Sequence, residues 1–242
     1  MPVLSQINLN RTLSAAAYTA QLGPIRATLN RLCSRLAEEG RPLVIVLEGW
    51  DSTLREELVK CLGEHLDASC YTVHRIADFT EEDASRHYLY PFWRRLPPRG
   101  YIAVFEQSWY RRVLGERVAG LWPEEVWRRA YREINQFERQ LTDFGTLVLK
   151  FWLYGPDPEP DPAVRVLREL AAEEMLLKTS TLNAPWVIVE GRDLNWARLK
   201  VLRAVAELSG RAAEGGLPPS ATTEEAPEEA ARRKARKRPG KM

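Results

Sequence analysis

Cysteine, histidine and methionine are scarce, at 3 each among 242 residues. Cys33, Cys61 and Cys70 form no C-x-x-C pair and have no histidine spaced beside them. A thiolate metal site is therefore not expected, and a reduced, cytoplasmic setting is. No stretch approaches the run of about 18 apolar residues that a membrane-crossing helix needs. The opening MPVLSQINLNRTLS has no basic region followed by an apolar run, so it does not read as a secretory signal. Charge of one sign is lacking too: 35 Lys and Arg stand against 33 Asp and Glu, for a net charge of +2. From Gly210 on there are 8 basic and 5 acidic residues, which leaves 27 and 28 in residues 1–209. The body is near neutral and offers no general basic surface for nucleic acid.

Hydrophobic residues, at 45%, and charged residues, at 28%, suit one globular domain with some tail. A domain of about 200 residues buries roughly 70% of its unfolded surface, enough for a sizeable core. Residues 24–40 repeat apolar positions at helical spacing and stop at Gly40. Residues 42–48 read as a fully buried strand, as parallel strands do. Further helices are predicted over 54–66, 80–96 (bent near Pro91), 123–144, 162–178 and 195–208. Further strands are predicted over 70–75, 101–105, 146–153 and 186–190. This alternation predicts an α/β fold in three layers, with about five parallel strands and helices on both faces. Residues 1–23 read as an extension and 24–209 as the domain. Residues 210–242 lack an apolar period and read as a disordered tail. The tail's RRKARKR, Arg232 to Arg238, could contact phosphate polymers or nucleic acid, and otherwise serves solubility.

The stretch EGWDSTLREEL, Glu48–Leu58, follows the first strand and leads into a helix. Gly49 stands where the first glycine of a phosphate-binding G-x-x-x-x-G-K-[ST] loop would stand, but Leu54 and Arg55 replace the second glycine and the lysine. Four further segments align with one family: TEEDASRHYLYPFWRRLP, FEQSWYRRVLGERVAG, INQFERQLTDFGTLVLKFWL and LKTSTLNAPWVIV. Together with the loop they resemble the polyphosphate kinase 2 family, whose fold is that of P-loop kinases, over about residues 24–208. The resemblance implies phosphoryl transfer between inorganic polyphosphate and a nucleoside mono- or diphosphate, with magnesium. Such chemistry rests on positioning and charge neutralisation. Carried onto this chain, it implies Asp51, Arg55 and Arg112 as catalytic residues. Gly49, Arg55 and Arg117 would bind phosphate, and Asp51 and Glu106 would hold magnesium.

Several departures stand out against that pattern. Leu54 removes a close backbone approach to phosphate, and a guanidinium at residue 55 does not repeat a lysine's point contact. Thr53-x-x-Glu56 matches a capping box, which would satisfy the helix N–H groups internally and set Glu56 and Glu57 against an anion. Gln107 stands in place of an arginine, and Pro91 in place of another, with Arg94 and Arg95 one turn on. Trp109 and Tyr110 read as packing residues, and Glu116 with Arg117 reads equally as an internal ion pair. The 32 residues from Tyr154 to Pro185 replace a long basic lid with a proline-rich loop and acids. The leading expectation is thus a family member with impaired transfer, acting as a regulatory or scaffold subunit in a homo- or hetero-oligomer with an intact homologue. The alternatives are a working phosphotransferase and a polyphosphate or nucleic-acid binder acting through Arg232–Arg238.

Overall fold

The computed structural model describes residues 3–76 and 81–214. Five strands form one parallel sheet: β1 (Leu43–Gly49), β2 (Tyr71–Arg75), β3 (Ile102–Glu106), β4 (Leu147–Tyr154) and β5 (Trp186–Glu190). Their spatial order is β2-β3-β1-β4-β5. β1 is central, with Leu43 in register with both Ile102 and Leu147. All seven of its residues are buried, as expected of a central parallel strand.

The strand periodicity of two divides the core into two layers. Val44, Val46, Ala103, Phe105, Val148 and Trp152 face one layer. Its helices include α7 (Glu124–Asp143) and α8 (Pro162–Thr179). Leu43, Ile45, Leu47, Val104, Leu149 and Phe151 face the other. That face is covered by α1 (Ala15–Leu29), α2 (Leu32–Glu39), α3 (Ser52–Gly63) and α9 (Leu194–Glu214). α7 buries Tyr131, Ile134, Phe137, Glu138 and Leu141, one face at helical spacing.

The structure corrects several expected boundaries. The helix expected over 24–40 is two: α1 ends at Leu29, and α2 runs from Leu32 to Glu39, closed by Gly40 with its φ of +61°. α1 begins at Ala15, nine residues inside the expected extension, and Ser14 caps it by accepting from the Ala17 N–H. The bent helix expected over 80–96 is instead two single turns, α4 (Glu81–Ala84) and α5 (Tyr90–Trp93). Pro91 lacks the N–H that a continuous helix would need, and sits in the first turn of α5. A last short helix, α6 (Gly115–Val118), precedes α7. α9 runs to Glu214, past the expected domain end at residue 209. The remainder of the expected tail, with Arg232–Arg238, lies outside the described residues. Cys33 and Cys70 are not isolated: packing of α2 beside the start of β2 brings their Cα atoms to 6.0 Å, and they form a disulfide. Cys61 is a buried free thiol. Among the described residues no helix is long and apolar enough to cross a membrane.

Candidate active site

The carboxyl ends of β1 and β3 lie side by side, with Leu47 opposite Glu106. At this edge of the sheet the chain leaves β1 through Gly49 and enters α3. Gly49 is a packing requirement first: a Cβ there would sit 2.7 Å from the Leu153 carbonyl oxygen on β4. Asp51 takes extended backbone angles and caps α3, its Oδ1 accepting from the Leu54 N–H at 3.2 Å. The expected Thr53–Glu56 capping box is therefore not formed. The helix starts at Ser52, which puts Thr53 and Glu56 inside its first turns, both exposed to solvent. A carboxylate does occupy a helix N–H, but it belongs to Asp51.

The two replaced loop positions are both folded inward. Leu54 is buried and lies against Gly191, where a Cβ would come within 2.3 Å of its Cδ2. Arg55 is buried as well, and its Nη1 donates to the Gly49 carbonyl. The cation that would meet phosphate thus holds the loop's own backbone, at the turn where an anion would lie.

Glu48, which the sequence reading did not single out, is the most buried acid at this edge. Its Oε1 accepts from both the N–H and the hydroxyl of Ser108, each at 2.7 Å. Burial pushes its carboxyl above the usual carboxylate range, and the Ser108 bonds and the Arg55 charge counter part of that. The available signal was one ionisable residue ending an apolar strand. Glu48–Ser108 ties the end of β1 to the segment after β3, where Gln107 adopts a φ of +63°.

The structure places Gly49, Asp51, Arg55 and Glu106 on this same edge, and engages Arg112 and Arg117 in ion pairs elsewhere. Glu106 pairs with Arg75 at 2.9 Å. Arg112 pairs with Glu116 at 3.1 Å and lies over the Tyr88 and Trp122 rings. Arg117 pairs with Glu174 of α8 at 2.7 Å and lies over Trp127. Glu116, its neighbour in sequence, pairs with Arg112 instead. Arg94 pairs with Glu82, and Arg95 donates to the Pro91 carbonyl, so neither replaces the absent arginine. Trp109 and Tyr110 are fully buried packing residues. Their polar atoms meet Glu138, which is paired with the buried Lys150 at 2.7 Å.

Between the loop and α8 lies a cavity of about 410 Å³, walled by Trp50, Asp51, Trp152, Tyr154, Arg165 and Val166 among others. The acids of the proline-rich loop are engaged: Asp157 and Glu159 both hold Arg168, whose guanidinium lies over the Trp50 ring. Among the described residues no three His, Cys, Asp or Glu side chains gather as a metal site. Asp51, just past the end of β1, and Glu106, at the end of β3, supply two hard carboxylates, a donor type that fits magnesium completed by water and phosphate oxygens.

A parallel five-stranded sheet with helices on both faces, a strand–loop–helix at its centre and acids at the neighbouring strand ends define an α/β protein of the P-loop kinase kind. The model of the Polyphosphate kinase 2 family matches residues 12–159. A polyphosphate:AMP phosphotransferase of Pseudomonas syringae is 34% identical over 228 residues, covering 85% of this chain and 46% of the relative. A polyphosphate:AMP phosphotransferase of Pseudomonas aeruginosa is 34% identical over 226 residues, covering 84% and 46%. The crystal structure of a polyphosphate kinase 2 from Pseudomonas aeruginosa superposes with a TM-score of 0.82 at 32% identity, over 89% of this chain and 51% of that one. The chain belongs to the polyphosphate kinase 2 family. It spans about half the length of these relatives.

Proposed function

We propose that this chain moves phosphoryl groups between polyphosphate and a nucleoside mono- or diphosphate, slowly, at the carboxyl edge of β1 and β3. One observation carries the reading. Asp51, the cap of α3 two residues past β1, and Glu106, the last residue of the adjacent β3, lie at one edge of the sheet in a chain 34% identical over 228 residues to a polyphosphate:AMP phosphotransferase. Asp51 and Glu106 would hold magnesium, which supplies charge neutralisation at the transferring phosphoryl group. The exposed Ser52 and Thr53 would offer N–H groups to phosphate oxygens. Arg55 would meet the anion on leaving the Gly49 carbonyl, and that exchange is what makes transfer slow. The test supplies polyphosphate, magnesium and AMP, ADP, GMP or GDP to the full chain. Product that forms with wild type and disappears with Asp51→Asn supports the proposal.

A second reading is favoured by the Arg55–Gly49 contact itself. On it the loop stays closed, and the chain is a non-catalytic subunit. α8 exposes Val166, Leu167, Leu170 and Leu177, an apolar stripe suited to a partner such as an intact homologue. No product from any acceptor, together with co-purification of an active relative, supports this reading instead.

A further inference from the structure

The cavity beside the loop has one wall that comes from far away in the sequence. Residues Leu4–Gln6 form a single 3-10 turn lying against α8. Both oxygens of Glu173 accept from this segment: Oε2 from the Val3 N–H at 2.8 Å and Oε1 from the Leu4 N–H at 2.6 Å. The Leu4 side chain is 2% exposed and lines the cavity together with Trp50, Asp51 and Trp152. Leu4 is also the one buried residue between positions 3 and 13. The rest of that stretch is held by surface contacts, Asn10 accepting from Arg192 at 2.7 Å and the Leu13 carbonyl from Asn195 at 3.2 Å. A largely solvated segment that buries so little of its own apolar surface opens locally at far lower free energy than the sheet does.

We infer that residues 3–6 are a strap that shuts the cavity at Trp50 and Asp51, and that its release admits the phosphate-bearing substrate. What enters rests on the function proposed above, whereas the strap itself rests on the contacts of Leu4 and Glu173 alone. If the closed form dominates, the apparent dissociation constant is the intrinsic one divided by the open fraction, so loosening the strap tightens binding.

The test compares wild type with Leu4→Ser and, as the milder change, Glu173→Gln. Trp50 accessibility is read as acrylamide quenching, by difference against Trp50→Phe in each background. Polyphosphate and AMP affinities are read by titration. The strap predicts increased Trp50 quenching in both variants and polyphosphate binding tighter by about threefold or more. Unchanged quenching in both overturns it, and so does raised quenching with unchanged or weaker binding. Raised quenching with no polyphosphate or nucleotide bound by any of the proteins upholds the strap and overturns the substrate assignment.

Discussion

Arg55 and Gly49 are six residues apart, and the guanidinium of the first donates to the carbonyl of the second. This places a buried cation on the protein's own backbone at the turn where a phosphate-binding loop would hold its ligand. The contact explains how one loop keeps a positive charge yet offers little of it to an anion.

Replacing Leu54, Arg55 and Glu56 together by Gly, Lys and Gly opens that turn. The triple variant should raise polyphosphate-dependent transfer by about tenfold or more, since one well-aimed stabilising group is worth factors of about 10² or more. It should also lose at least about 2 kcal/mol of stability, because the buried Leu54 side chain disappears. Transfer kinetics and urea denaturation on the same preparation check both.

Asp51 has two roles that substitution can separate. Asparagine caps helices about as well as aspartate, whereas alanine does not. Asp51→Asn should therefore keep its stability and lose transfer, while Asp51→Ala should also lose about 1 kcal/mol. Thermal unfolding alongside the assay distinguishes the two.

Glu48 predicts a pH signature. Its folded-state pKa is raised, chiefly by burial. Between the ordinary glutamate value of about 4.3 and the raised value, the folded state binds more protons than the unfolded one. Stability then falls as pH climbs through that window. Glu48→Gln keeps an acceptor for Ser108 and should remove this slope, gaining on wild type as the pH rises. Denaturation midpoints measured at several pH values give the difference curve.

Lys150 and Glu138 form a buried pair between β4 and α7, with Tyr110 and the Thr179 carbonyl as further partners of the ammonium. Burial lowers the Lys150 pKa and raises that of Glu138, and each partner's charge works against the other's shift. Lys150→Met should cost about 3–5 kcal/mol by stranding the carboxylate, and Lys150→Met with Glu138→Leu should cost less. Chemical denaturation of the single and double variants checks this.

The strand–helix alternation was legible because β1, β3 and β4 are rich in apolar residues, each with a single charged one, and α7 keeps a stripe from Tyr131 to Leu141. Asp51 and Glu106 could be located as acids following predicted strands. The state of the site could not. Thr53 and Glu56 have capping-box spacing, but the helix starts two residues earlier, where the Asp51 side chain takes the Leu54 N–H. Arg117 lies next to Glu116 in sequence, yet α8 supplies Glu174, a partner 57 positions away. Leu4 gave no sign of its place, since only the folded chain brings it to Trp50.

The most direct measurement incubates the full chain with polyphosphate, magnesium and AMP or ADP, beside Asp51→Asn, and follows the phosphorylated nucleotide. The account predicts slow product formation by wild type and none by the variant. Equal product from both, or none from wild type with any acceptor, would contradict it.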